Sequence, residues 1–415
     1  MRNYRYYISK CILISILCVI SVANYAQHID YHFNGNISRP VLENYLSRAV
    51  TMAEFLAVDP YCNDGTYPCK ERDLEQIRNI GAKFIGRAIY RWGKEEMLNN
   101  PDFLNQAKLL INEVHEFDPD VIFQGCAFEA VYESVNEVKI PEWTFKALGL
   151  PVEDRHFAYS KMLDPDGKFV RHWGRMGSVP DITQIESQLW LMFLIGTYVD
   201  VGVEAIHLGQ VSLMGMNDPD FKAWAAFMKK VREYVNGRSR RNYVLFDAHV
   251  PMHGLIVDSK SLLDFNSFPL RIKAIADTPM KGVLEMGFID SLYGRSKGCI
   301  TPSGWTCESL PYLVEFDNFG ISDHPGEAKG EYFIWGYDEI SWFYLLSESD
   351  KRGWLFYAYN WLKENDKNAF LQMPCTRVVT LGNGQGGIFR GFKPTDDCPM
   401  GMNVEDIIKD IWTDQ

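Results

Sequence analysis

The sequence predicts an α/β protein built as a single (β/α)8 barrel of the TIM type, with long loops and a short irregular C-terminal appendage. Three observations lead there. Short runs rich in β-branched and aromatic residues alternate with longer stretches of helical spacing, the runs number eight, and no Ser/Gly linker or low-complexity tract divides the chain. The 415 residues, 47% hydrophobic and 14% aromatic, suffice for one large core or two ordinary ones, which excludes disorder as the main state. A doubly wound sheet is the main alternative. Such sheets usually carry a Gly-rich nucleotide loop after the first strand, and here that place holds Asn34-Gly35-Asn36.

Taken in chain order, strands are expected at 29–34, 84–92, 121–129, 205–211, 243–249, 283–289, 312–317 and 332–336. Between the first two, Ser38 can cap a helix in which Val41, Leu42, Tyr45, Leu46, Ala49, Val50 and Ala53 recur at i, i+3, i+4 spacing. Segments 103–117, 182–198, 221–235 and 340–362 repeat that pattern. Connections 57–70, 130–180 and 291–311 are long, aromatic and punctuated by Gly and Pro, which suits the walls of a cleft better than disorder. Residues 27–376 are therefore assigned to the barrel, and 377–415 to an appendage packed on it. The GNGQGG run at 382–387 in that tail is followed by neither a helix nor a Lys-Ser/Thr pair, so it does not read as a phosphate loop.

Residues 1–26 are set apart as a signal peptide. Arg2, Arg5 and Lys10 precede an apolar run from Cys11 to Ala23, about the length of a signal-peptide core and short for a membrane span. Ser21-Val22-Ala23 offers a small-x-small cleavage site, and Ala26 before Gln27 a second. The expectation is a secreted or periplasmic protein without a membrane span after cleavage. Loss of the leader moves the net charge from -12 to -15. A chain this acidic, without a basic stripe, is a poor partner for nucleic acid. Of the cysteines outside the leader, Cys62 with Cys69, Cys299 with Cys307, and Cys375 with Cys398 are close enough in sequence to pair in an oxidising compartment, leaving Cys126 over. No C-x-x-C pair points to zinc. The sequence does not indicate an oligomeric state.

The strand ends carry the chemistry. In PYLVEFDNFG, alternation turns Val314 and Phe316 outward and Leu313, Glu315 and Asp317 toward the barrel interior. In VIFQGCAFEA, Glu129 falls on the face of Phe123, Gly125 and Ala127; in YVLFDAHVPMHG, Asp247 and His249 share the face of Leu245. Arg87 and Arg91 share a face with Ile85 and Ile89, and either Gln210 or His207 points inward on the fourth strand. Carboxylates thus converge on the C-terminal mouth, where barrel active sites sit. Cleaving a glycosidic bond with water needs two such groups, one to protonate the leaving oxygen and one to attack the anomeric carbon or activate water. A crowded acidic mouth can push two carboxyl pKa values apart. Glu315 is expected as nucleophile or base, Glu129 as proton donor and Asp247 as its substitute. Asp317, Gln210, His249 and Arg87 would orient hydroxyls or hold protonation states, and Trp92, Trp173, Trp305 and Trp335 would be subsite walls against a carbohydrate substrate. This chemistry requires neither cofactor nor metal.

A barrel with a Glu ending its seventh strand, in VEFDNFG, resembles the (β/α)8 glycoside hydrolases, one large clan of which places its nucleophile there. The resemblance covers the architecture from residue 29 to 362, and its motif-level part is Glu315. It also implies an Asn-Glu pair at the end of strand four. This chain has Leu208-Gly209-Gln210 instead, so the second acid is sought at Glu129 or Asp247. Two rival readings follow from the same residues. One is a barrel that binds glycans without cleaving them; the other is a metal-dependent barrel hydrolase using His28, Asp30 and His32 with His207, Asp247, His249 and Asp338.

Overall fold

The computed structural model describes residues 29–57, 67–174, 177–250, 254–288, 296–318, 334–380 and 386–413. Eight parallel strands close on themselves: β1 (Ala49–Met52), β2 (Phe84–Ile89), β3 (Ile122–Cys126), β4 (Ala205–Gln210), β5 (Leu245–His249), β6 (Asn266–Pro269), β7 (Tyr312–Glu315) and β8 (Ala369–Thr380). Each pairs with the next, and β8 returns to β1 through Val50 opposite Met373. A ninth strand, β9 (Gly386–Arg390), runs antiparallel to β8 on its outer continuation. The (β/α)8 barrel predicted from the sequence is thus present.

The helices form where capping and burial both allow it. In α1 (Arg39–Leu46), the Ser38 hydroxyl accepts from the Val41 amide, and Val41, Leu42, Tyr45 and Leu46 are buried. Outside the barrel lie α2 (Lys70–Ile80), α3 (Pro101–Phe117), α4 (Ile185–Val201) and α5 (Lys222–Val235) after strands one to four. α4 is apolar on nearly every side because it packs between the barrel and the long 130–180 excursion. Helices α6 (Glu339–Leu345) and α7 (Glu348–Asn365) lie between β7 and β8, and α8 (Val404–Thr413) packs on α2 and α7. Among the described residues, the crossings from β5 to β6 and from β6 to β7 carry small two- to four-stranded sheets in place of helices.

Three of the eight expected strands are displaced. Residues 29–34 form no strand, and the first strand is Ala49–Met52, a four-residue segment that the helical spacing had absorbed. The sixth is Asn266–Pro269, whose NSFP sequence lacks any β-branched residue and follows β5 without a helix to announce it. Its expected counterpart at 283–289 contributes only Gly282–Val283 to a two-stranded pair. The eighth is Ala369–Thr380, obscured by Pro374 at its centre, where pairing with β1 becomes irregular. The expected strand at 332–336 lies partly outside the described residues, and Ile334 forms an isolated bridge with Tyr337. The tail is more regular than expected: β8 continues past residue 376 to Thr380, and β9 and α8 follow.

The disulfide found differs from the pairings expected. Cys69 bonds Cys398, tying the start of α2 to the C-terminal region across 329 residues. Cys375 is buried and free, as is Cys126, and Cys62 lies outside the described residues. Cys299 and Cys307 do face each other across two short strands, with their sulfurs 3.8 Å apart and unbonded. Among the described residues no helix is long and apolar enough to cross a membrane. Residues 1–26, expected to be a leader, lie outside them.

Candidate functional site

The barrel has two unlike ends. Where the chain enters the strands, Ala49, Phe84, Ile122, Ala205, Leu245 and Leu313 form an apolar layer, and the N-terminal segment seals it with Tyr31, Phe33 and Ile37. At the opposite end the same inward faces carry Arg87, Gln124, His207, Asp247, Ser267 and Glu315, all buried. Above this polar layer opens a cleft of about 560 Å³, a size suited to a small ligand.

Backbone irregularities aim the side chains into it. Arg87 has φ +56° and sits where the β2–β3 register slips between Ile85 and Ile89. This bulge brings its guanidinium inside, while Arg91 packs outward over the Phe103 ring and bonds Glu54 at 3.1 Å. In β4 the register shifts between His207 and Gln210 at Gly209, φ +64°. Both His207 and Gln210 therefore reach the cleft, and the choice between them posed by simple alternation disappears. A Cβ on Gly209 would stand 1.8 Å from Oε2 of Glu129. The glycine thus clears the space that the Glu129 carboxylate fills.

Glu129 arrives by an unexpected route. The inward residues of β3 are Ile122, Gln124 and Cys126, opposite to the expected face, and Phe123 stacks outside on Phe55. Strand pairing ends at Cys126, and beyond it the chain carries Glu129 over the end of β4. There its oxygens accept from the Gln210 amide at 2.9 Å and the Gln210 side chain at 3.1 Å. A residue three positions beyond strand three so places a carboxylate where strand four itself offers only glycine and glutamine.

On β7 the expected inward face is observed. Glu315, 3% exposed, is gripped by Arg87, whose Nε lies 2.8 Å from Oε2 while Nη2 bonds Oε1, and His249 Nε2 stands 3.5 Å away. Burial alone would raise the Glu315 carboxyl, but the Arg87 and Arg377 charges and the hydrogen bonds outweigh it and hold the group well below the usual carboxylate range. Asp317 follows the same logic: burial opposes, Arg377 at 3.0 Å prevails, and its pKa is lowered. Asp317 lines the cleft, whereas Glu315 lies one layer beneath it. Asp247 is also beneath, accepting from Gln124 at 2.7 Å and Ser267 at 2.8 Å and bonded to His207 Nδ1 at 2.7 Å.

Aromatic rings wall the cleft on the β2–β3 side. Trp92, 47% exposed, meets Phe128 edge-on at 4.8 Å, and Trp173 donates its indole N–H to the Glu129 carbonyl. The other two tryptophans expected there are elsewhere. Trp305 bonds the Ile37 carbonyl at the sealed end, and Trp335 bonds the Lys281 carbonyl on the outer surface. The metal rival meets a similar separation: Asp30 and His32 flank Tyr31 at the sealed end, across the barrel from His207 and His249. His28 is outside the described residues. Asp338 caps α6, accepting from the Ser341 amide at 2.8 Å, and burial pushes its carboxyl up to about 8. Among the described residues no three or more His, Cys, Asp or Glu side chains are grouped to hold a metal ion.

Several cleft residues escaped the sequence reading: Glu54, Tyr90, Phe128, Tyr132, His172 and Arg377. Tyr90 and Phe128 lie just past the observed ends of strands two and three but inside the expected strands 84–92 and 121–129, where alternation sets them on the face opposite to Arg87 and Glu129. Glu54 lies two residues past β1 and Arg377 on β8, two of the three strands displaced from their expected positions.

No protein-family model matches the chain, and none of the curated proteins is similar to it. Solved structures with a related trace include the cyclic α-maltosyl-(1→6)-maltose hydrolase of Arthrobacter globiformis, 14% identical over 89% of this chain and 83% of that one, with a TM-score of 0.45. The debranching enzyme of Nostoc punctiforme is 10% identical over 92% and 82%, with a TM-score of 0.41. An isomalto-dextranase of Arthrobacter globiformis is 10% identical over 54% of this chain, with a TM-score of 0.31, and the match spans 40% of that enzyme's length.

Proposed function

We propose that the protein is an exported glycoside hydrolase whose cleft holds one sugar-linked bond between Glu129 and Asp317. The observation that carries this reading is that Glu129 and Asp317, which follow strands three and seven on opposite sides of the closed barrel, line a single cleft walled by Trp92 and Trp173. Sugars present C–H faces that pack on indoles and hydroxyls that need polar partners, and this cleft offers both. Glu129 gives its proton to the leaving glycosidic oxygen. Asp317, kept ionised by Arg377, attacks the anomeric carbon or activates the water that does. Glu315, expected from the sequence in that role, instead holds Arg87 in place from below. Asp247 anchors His207.

The test is release of sugar from a broad glycan panel by the leaderless protein, with Glu129→Gln, Asp317→Asn and Glu315→Gln in parallel and a chelator control. Turnover lost roughly 10²–10⁴-fold in the first two, a range typical of removing a general acid or base, supports the assignment. Azide added to alanine variants at positions 317 and 315 separates the two strand-seven acids, since it restores turnover only where the attacking carboxylate is missing. One observation favours the binding-only reading: Glu129 and Asp317 both already accept hydrogen bonds from the protein. Glycan binding by the wild type without turnover of any substrate would establish that reading.

A further inference from the structure

The imidazole of His207 is 2% exposed, yet it lines the cleft, and its Nε2 has no hydrogen-bond partner among the described residues. Its other nitrogen is fully committed. Nδ1 lies 2.7 Å from Oδ2 of Asp247, and Asp247 is held by Gln124 on one oxygen and by Ser267 on the other. An ionised carboxylate only accepts, so Nδ1 carries the proton and Nε2 is left with a lone pair. Arg87 on β2 and His249 on β5 both face the ring, the latter at 4.9 Å between centroids, and with burial they disfavour a second proton against the pull of Asp247. Phe128 covers one edge at 5.7 Å. A buried acceptor aimed into a cleft, with its tautomer locked from behind, is built to meet a donor that arrives with the ligand.

We propose that His207 is a specificity-determining residue of the cleft, its Nε2 accepting a hydrogen bond from one particular hydroxyl of the bound sugar. This rests on the carbohydrate reading given above and sharpens it: the sugar ring at the cleft floor must carry a free hydroxyl at that carbon, and a deoxy or O-methyl group there is rejected. Sites that hydrogen-bond a substrate hydroxyl discriminate strongly against analogues lacking it, because the protein group is left unpaired.

Two measurements test this. In the wild-type protein at neutral pH, ¹⁵N NMR of the histidine side chains is expected to show His207 with a protonated Nδ1 and an unprotonated Nε2; the reverse tautomer or an imidazolium would overturn the proposal without any mutation. The second is titration with methyl α- and β-hexopyranosides of the gluco, galacto and manno series and with their monodeoxy counterparts. His207→Asn keeps a donor toward Asp247 and removes only the Nε2 acceptor. It is expected to bind the preferred glycoside roughly tenfold more weakly, the effect of one lost hydrogen bond, while binding one monodeoxy analogue as well as the wild type does. His207→Gln, which can return an acceptor near the Nε2 position, is expected to recover part of the loss. Wild-type binding that is indifferent to His207→Asn overturns this inference alone. A wild type that binds none of these glycosides or the glycan panel overturns the carbohydrate reading and this inference with it.

Discussion

At the end of the barrel where the chain enters, Phe84, Leu245 and Leu313 pack under Tyr31 and Phe33; at the other end, on the same three strands, stand Arg87, Asp247 and Glu315. The geometry of the strands is common to both ends, so the contrast lies in side chains and in two backbone bulges. The sealed end consists of hydrocarbon surface that any similar volume would satisfy. The open end consists of charges buried at a desolvation cost, tolerable only because each is paired or hydrogen-bonded. A hydrocarbon seal and a polar cleft are thus separated along the barrel axis within a few residues of one another.

The largest effect expected from breaking this contrast comes from Arg87→Met. It leaves Glu315 buried without its partner, a change that typically costs about 3–5 kcal/mol. Chemical denaturation should also show that the double variant Arg87→Met/Glu315→Leu recovers most of that loss, since an apolar pair of similar volume removes both charges. A single variant within about 0.5 kcal/mol of the wild type would mean that the pair contributes no more than an ordinary surface contact.

Acid should act on the open end first. The folded-state pKa of Glu315 lies below its ordinary value of 4.5. Its contribution to stability is therefore present above the unfolded pKa and lost as pH falls through the folded one. Asp317 has the same sign. Glu339 has the opposite one: burial pushes it up to about 7 against Arg271, so it destabilises the fold as pH rises from the carboxylate range toward neutrality. Melting curves from about pH 6 to about pH 2 should fall steeply on the acid side in the wild type and less steeply in Glu315→Gln. Identical acid limbs would show that Glu315 titrates alike in the folded and unfolded chain.

The two ends also differ in how much of them could be read beforehand. Strands two, three, four, five and seven were legible because each carries an apolar run bounded by polar residues, and alternation then turned Asp247, His249, Glu315 and Asp317 inward correctly. Alternation failed at Arg87 and Gly209, where a bulge adds a residue and period two no longer holds, and on β3, where the inward face was inverted. Alternation sets Glu129 on the wrong face, yet the residue reaches the cleft because the strand ends at Cys126 before it. The short strands β1 and β6 were hidden by their composition, and with β1 went Glu54. Arg377 was lost to the tail because Pro374 masks the strand that bears it. His207 stood undecided against Gln210, and only the backbone at Gly209 admits both.

Tryptophan offers the finest test of the division, because loop position alone does not separate Trp92 and Trp173 from Trp305 and Trp335. Trp92 stands half-exposed on Phe128 at the cleft, and Trp305 is tied to the Ile37 carbonyl with Arg39 5.9 Å from its ring at the sealed end. Trp92→Ala should change stability by less than about 1 kcal/mol, as exposed substitutions do, while weakening glycan binding. Trp305→Ala should cost about 1–2 kcal/mol through a lost hydrogen bond and lost packing, and leave glycan binding untouched. Denaturation and glycan titration on both variants give four numbers, and the division along the axis requires them to cross. If Trp305→Ala weakened binding as much as Trp92→Ala, the sealed end would be coupled to the cleft, and the apolar layer would be setting the position of Arg87 and Asp247 rather than merely closing the barrel beneath them.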